Sequence, residues 1–283
     1  MEKYSIDKPM APPWIKYPHF DYRNIVWQWD NKGYYAVNFH IWYQKLSKNN
    51  QLNYQEMFPS PKIWVNFFND DIEEDSFYEE LEEHYYKNIF FWRKDGKAKY
   101  SIDDFITIDD ETNEFMFFWN PENTLESCLS QWTKSDFKDI AHGYNCTEQY
   151  MMAQKAIFFQ DHENEKRIME TDDPFEMKKL GRKVRNFNSK EWNKVKYSIV
   201  LNGNYYKFSQ NKEMRDFLIA TGDKILVEAS PEDKIWGVGL DKSNDDIYNL
   251  NKWKGENLLG FALMELRDEL KRVYKNYDKL MLL

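Results

Sequence analysis

Glu148 and Lys155 are a carboxylate and an amine seven residues apart in the stretch Gly143-Tyr144-Asn145-Cys146-Thr147-Glu148-Gln149-Tyr150-Met151-Met152-Ala153-Gln154-Lys155-Ala156. On a helix beginning near Glu148 they share one stripe to within about 20°, separated by roughly 10 Å along the axis. They can therefore flank a bound ligand instead of neutralising each other. Met151 and Met152 bring the stripe to the edge of a core, where a lysine loses solvation and shifts toward its neutral, nucleophilic form. A surface pair on an amphipathic helix has the same spacing, so the stripe alone leaves both readings open.

A second cluster runs Leu226-Val227-Glu228-Ala229-Ser230-Pro231-Glu232-Asp233-Lys234-Ile235-Trp236-Gly237-Val238-Gly239, a strand leading into a loop with acids, a tryptophan and two glycines. Glu228 in an apolar strand needs a partner if buried, as a hydrogen-bonding anchor or a sugar ligand. Trp236 can stack on a base, and Gly237 and Gly239 let backbone N–H groups approach a ligand closely. A turn holding a packed indole is the other meaning. The third cluster, Lys178-Lys179-Leu180-Gly181-Arg182-Lys183-Val184-Arg185, is the densest positive charge in the chain. It suits a phosphate contact, since guanidinium binds two oxygens at once, or forms a solvated helix face.

Several common chemistries lack their motifs. No G-x-x-x-x-G-K-S/T loop, G-x-G-x-x-G, H-E-x-x-H or G-x-S-x-G occurs. The five histidines and two cysteines lack metal-ligand spacing, and His142 with Cys146 reads as structural. Two cysteines, Cys128 and Cys146, exclude a disulfide framework and fit a reducing compartment. The charged start predicts an unprocessed, cytoplasmic chain, and the longest apolar runs fall far short of the roughly 20 residues that cross a bilayer.

The elements that must position these residues are legible in the pattern. The 283 residues are 42% hydrophobic and 31% charged, with a net charge of −9 that disfavours a general nucleic-acid coat. Residues 1–127 hold 13 Lys/Arg against 23 Asp/Glu, whereas residues 128–283 hold 26 against 25. Thirty of the 50 aromatic residues precede residue 121. Two units are thus expected, residues 1–124 and 125–283, joined at Pro121-Glu122-Asn123-Thr124. In the first, aromatic spacing predicts a helix over 33–48, an acidic helix carries Phe77, Leu81 and Tyr85, and a β-hairpin is expected over 97–108 and 114–119. Its aromatics read as core. In the second, Thr147 and Asp173 can cap helices, Ser189 opens a long one, Ile225-Leu226-Val227-Glu228 is a buried strand, and Leu259, Leu263, Leu266 and Leu270 form one stripe of a last helix. The fold class predicted is α+β: a helix-rich C-terminal domain with a small sheet and an aromatic-rich α+β N-terminal domain, the cleft lying between the Glu148 helix and the Trp236 loop.

In this order the C-terminal motifs resemble the NADAR family, the YbiA-like N-glycosidases, from about Cys128 to Leu270. Leu129-Ser130-Gln131-Trp132 is similar to its L-S-N-F opening, and Thr147-Glu148-Gln149-Tyr150 with Ala153-Gln154-Lys155 to T-E-H-Y and A-Q-K. Gly181-Arg182, Lys207-Phe208-Ser209-Gln210-Asn211, Thr221-Gly222, Asp233-Lys234-Ile235-Trp236-Gly237-Val238-Gly239 and Asn257-Leu258-Leu259-Gly260 follow, with Arg267. Gln149 stands for the family's His and Gln131 for its Asn, the latter lengthening a polar contact that orients substrate.

The resemblance implies hydrolysis of the bond between ribose C1 and a base or amine, with no cofactor and no metal. ADP-ribose on a guanine-type base is the leading substrate. Phosphoribosylamino-pyrimidine intermediates of riboflavin synthesis are the alternative, and a non-catalytic ADP-ribose or NAD reader is the rival class. Glu148 would be the acid/base and Lys155 the Schiff-base nucleophile. Ser130, Gln131, Arg182, Glu228, Asp233, Trp236, Gly237, Gly239 and Asn257 would bind substrate or shape its loop. The expected partner is the ADP-ribosyl or phosphoribosyl substrate itself, free or on ADP-ribosylated nucleic acid; no membrane is implied, and the N-terminal unit has no assigned partner.

Overall fold

Proline and aromatic placement decide how the chain begins. The computed structural model describes residues 4–20, 33–64, 67–68, 89–93, 95–106, 114–121 and 124–280. Pro13 opens α1 (Pro13–Lys16), because its ring already holds the φ of a first helical turn. α2 (Gly33–Gln44) is the expected aromatic helix, stopping four residues early and burying Phe39 and Trp42. Ser47 then caps α3 (Lys48–Met57) by accepting the Asn50 N–H at 3.3 Å. The rings of Trp14, Phe39, Tyr54, Trp64, Phe67 and Phe68 meet in tilted and edge-on pairs, with Trp14 5.2 Å from Phe67. These aromatics are core, as their bulk predicts.

Among the described residues the expected hairpin is not seen. Residues 103–106 are helical, as α4 (Asp103–Ile106), whose Asp104 carboxylate accepts from the Ser101 N–H and hydroxyl. The turn residues 109–113 and the acidic segment of Phe77, Leu81 and Tyr85 lie outside the described residues. β1 (Phe115–Phe118) does form, followed by the small antiparallel pair β2 (Phe137–Lys138) and β3 (Gly143–Tyr144).

The remaining elements are α5 (Thr147–Phe158), α6 (His162–Met169), α7 (Pro174–Gly181), α8 (Ser189–Gln210), α9 (Lys212–Ala220), β4 (Ile225–Glu228) and α10 (Leu258–Val273). Asp173 caps α7 ahead of Pro174, as expected, and Asn188 caps α8. At α5 the N-cap is Cys146, and Thr147 donates its hydroxyl to the Gln131 carbonyl instead. β1 runs parallel to β4, with Phe115 opposite Ile225 and Phe118 opposite Glu228. The reason is burial: Ile225, Leu226 and Val227 are wholly enclosed, so their backbone needs a ladder partner, and a short apolar run cannot specify in sequence which strand supplies it.

Leu259, Leu263, Leu266 and Leu270 are fully buried along α10, which lies against β4 and α8. The N-terminal segments attach to this same face. Trp92 donates its indole N–H to Asn202, the Lys62 and Lys99 N–H groups donate to Glu269 and Glu265, and Arg272 donates to the Ser60 carbonyl. Among the described residues no helix is long and apolar enough to cross a membrane.

Candidate active site

Three carboxyl groups from three places in the chain converge on one cationic helix. Glu148 is in the first turn of α5, Glu228 ends β4, and Asp233 lies in the loop that follows; α7 brings Lys178 and, just past its last turn, Arg182. Lys178 Nζ sits 3.4 Å from Asp233 Oδ2 and 5.8 Å from the centre of the Trp132 ring. Asp233 fixes its own loop as well, its Oδ1 accepting the Ile235 and Trp236 N–H groups at 3.0 and 2.9 Å.

Electrostatics couple these groups. Burial pushes the Glu148 carboxyl up to about 7, against Lys178, a hydrogen bond from the Trp132 side chain and Arg182, while Asp233 pushes the same way as burial. Burial likewise pushes Glu228 up to about 8, with Asp233 and Glu148 adding to it and Lys178 opposing. Its Oε2 is buried and has no hydrogen-bond partner, an acceptor left open within a cluster of acids. Lys155 is half-buried: its Nζ donates to the Gly181 carbonyl at 2.9 Å and lies 4.2 Å from the Phe187 ring centre. Burial holds its ammonium below the usual lysine range, Glu148 opposing and Arg182 assisting. The stripe expected of α5 thus carries a carboxyl and an amine that burial moves, each toward its neutral form, with Glu148 opposing the shift of Lys155.

The other expected residues divide into those that reach this cluster and those that build it. Arg182 is exposed at its edge. Ser130 accepts twice, its carbonyl from Lys207 Nζ and its hydroxyl oxygen from the Trp132 N–H. Gln131 is buried, its Oε1 without a partner and its carbonyl accepting the Glu148 N–H at 3.0 Å. Asn257 uses both ends of its amide on β4, accepting from the Glu228 N–H at 3.0 Å and donating to the Leu226 carbonyl at 2.9 Å, from a left-handed backbone at φ +53°. It anchors the Glu228 strand end. Gly237 has no room for a side chain, since a Cβ there would lie 2.8 Å from the Glu228 carbonyl, and Gly239 turns at φ +69°.

Trp236 is buried in the core, so the packed indole is the reading the structure supports. The tryptophan beside the acids is Trp132, which is half-exposed. Neither Trp132 nor Lys178 stands out by type or spacing. Trp132 is only the last residue of the Leu129-Ser130-Gln131-Trp132 motif, with no role of its own expected, and Lys178 is one of five cations within eight residues. Gln149 bolts the site from behind: its Nε2 donates to the Ile168 and Thr171 carbonyls, both at 3.1 Å, and its Oε1 accepts the Asn145 N–H at 2.9 Å. Every polar atom at that position is used structurally. Among the described residues no group of histidine, cysteine and acidic side chains has the placement of a metal site.

A helix-rich α+β domain with a desolvated carboxyl–amine pair on one helix is the class this geometry defines. Its sequence matches the NADAR domain over residues 117–271, and the chain belongs to that family. An N-glycosidase from Acanthamoeba polyphaga mimivirus is 45% identical over 166 residues, which cover 56% of this chain and 98% of that protein. Protein irg-1 of Caenorhabditis elegans is 39% identical over 129 residues, 45% of this chain and 61% of that one. The N-glycosidase YbiA of Escherichia coli is 33% identical over 124 residues, 44% of this chain and 69% of that one. The solution structure of the E. coli YbiA protein aligns with a TM-score of 0.47 at 28% identity, covering 56% of this chain and 85% of that one. The matched domain starts inside β1, about ten residues before the motifs that first mark the family in sequence.

Proposed function

We propose that this chain is an N-glycosidase that hydrolyses the bond between ribose C1 and a base or amine, with ADP-ribose on a guanine-type base as its substrate. The observation that carries the reading is the placement of Glu148 and Lys155 two turns apart on α5, both moved toward their neutral forms by burial. The names of the mimivirus and E. coli relatives support the reaction class.

The chemistry follows from the residues. The ribosyl ring opens to an imine at C1, the neutral Lys155 amine adds to that carbon, and the base leaves with a proton from Glu148. Water, deprotonated by the same carboxylate, then hydrolyses the lysine imine and returns the free amine. A carboxyl held near 7 can give and take a proton at neutral pH. Lys155 must leave the Gly181 carbonyl to act, a small rotation for a four-carbon stem. Lys178 and the exposed Arg182 supply positive charge for phosphate oxygens, and Trp132 offers a ring face to the base or adenine.

The test is release of ADP-ribose from a guanine-ADP-ribosylated nucleoside, comparing the wild type with a folded Lys155→Ala variant, with borohydride added to trap any lysine imine. Release and trapping that both need Lys155 support the reading. No release by a protein that binds ADP-ribose points to phosphoribosylamino-pyrimidines, and failure on those as well, with no covalent trapping, points to a reader.

A further inference from the structure

Lys207, near the end of α8, is a fully buried lysine that the proposed chemistry does not use. Its Nζ donates to the Ser130 carbonyl at 3.0 Å. Among the described residues no carboxylate lies within ion-pair distance of it, and the titratable groups that face it are the Cys128 and Cys146 thiols. A buried ammonium without a counter-charge costs folding energy, and what this one secures is geometry.

The peptide that Lys207 grips is followed at once by the carbonyl on which α5 begins. Gln131 O accepts the Glu148 N–H at 3.0 Å and the Thr147 hydroxyl at 3.3 Å. Cys146 makes no side-chain cap bond, so this carbonyl does the work of a helix cap from outside the helix. One chain of contacts therefore runs from the Lys207 amine through the Ser130 and Gln131 backbone to the first turn of α5, where Glu148 projects among Trp132, Lys178 and Asp233.

We propose that Lys207 is a positioning residue for Glu148: by fixing the Ser130 carbonyl it sets the Ser130–Gln131 peptide against which α5 starts, and so the direction of the Glu148 carboxyl. The inference rests on Glu148 being the acid/base of an N-glycosidase. Loss of the amine leaves the stem packed but frees that peptide, and a misplacement of about 1 Å at a catalytic group can cost about 10²-fold in rate.

The experiment compares Lys207→Met, which keeps the stem and removes the donor, with the wild type in both the native and the Glu148→Gln background. The expected result is a folded protein whose kcat falls about 10²-fold with KM nearly unchanged. Its acid limb in the pH–rate profile moves, and Lys207→Met causes no further loss once Glu148 is Gln. A folded Lys207→Met with wild-type kcat and pH profile overturns the inference. So does a loss of equal size in both backgrounds, the mark of a merely structural role. Should Lys207→Met fail to fold, Lys207→Gln retains a donor one atom short: a lowered kcat at unchanged KM supports the role, and a wild-type kcat overturns it. If Glu148→Gln alone leaves turnover intact, the acid/base reading fails first, and that result is distinct from the others.

Discussion

Glu148 and Lys155, two turns apart on α5, are driven by burial in opposite directions along the pH scale and toward the same uncharged state. The sign of the resulting pH dependence is fixed. A carboxyl raised to about 7 when folded, from about 4.5 when unfolded, binds more protons in the folded chain between those values, so stability falls as pH rises through about 7. Glu228 extends the same trend to about 8. Glu148→Gln is expected to lower kcat by at least about 10²-fold and to flatten the decline of Tm between pH 5 and 8, an effect of at most about 3 kcal/mol. Melting curves across that range, with steady-state rates at pH 7, check both parts.

Lys178 pulls both buried glutamates down, so removing it must let them rise. Lys178→Met is expected to shift the acid limb of the pH–rate profile to higher pH and to reduce kcat/KM at pH 7 by about tenfold. Trp132→Phe, which loses the hydrogen bond to Glu148, moves the same limb in the same direction by less. An unmoved limb in both variants would separate α7 from the chemistry.

Asn257 closes the end of β4 with two hydrogen bonds from one buried amide. Asn257→Ala leaves the Glu228 N–H and the Leu226 carbonyl unpaired and puts a Cβ residue without a compensating side chain at positive φ. A loss of about 2–4 kcal/mol in urea unfolding is expected, with little change in m.

Away from the site, Asp161 gathers the α6–α7 region. Burial would raise its pKa, but the forked bond from Arg185 and bonds from Asn164 outweigh burial and hold the carboxyl well below the usual range. A depressed carboxylate stabilises the fold above its unfolded pKa of about 4 and loses that contribution as pH falls further. Asp161→Asn is expected to cost about 1–3 kcal/mol at pH 7 and to narrow the gap to wild type as the pH drops below 4, measured by thermal melts.

Much of the scaffold is readable from local signals because those signals are physically local. The Asp173–Pro174 cap, the four-residue strand at Ile225–Glu228 and the leucine stripe of α10 each depend on neighbours within two turns. The hairpin expectation failed over the described residues, where the deciding neighbour was more than 100 residues away: the apolar run at 115–118 pairs with β4, and residues 103–106 are helical. At the site, the cation run of α7 looks uniform in sequence, yet only packing turns Lys178 toward Asp233 while Lys179 pairs with Glu176 on the outer face.

The sequence by itself determined which residues can do chemistry: an acid and an amine at a helical spacing of seven, and a glutamate at the end of an apolar strand. Tertiary structure alone decided their state. Desolvation, the approach of Lys178 and Asp233, and the placing of Trp132 beside Lys178 all arise between elements far apart in the chain, and charge in a protein is set by what surrounds it in space.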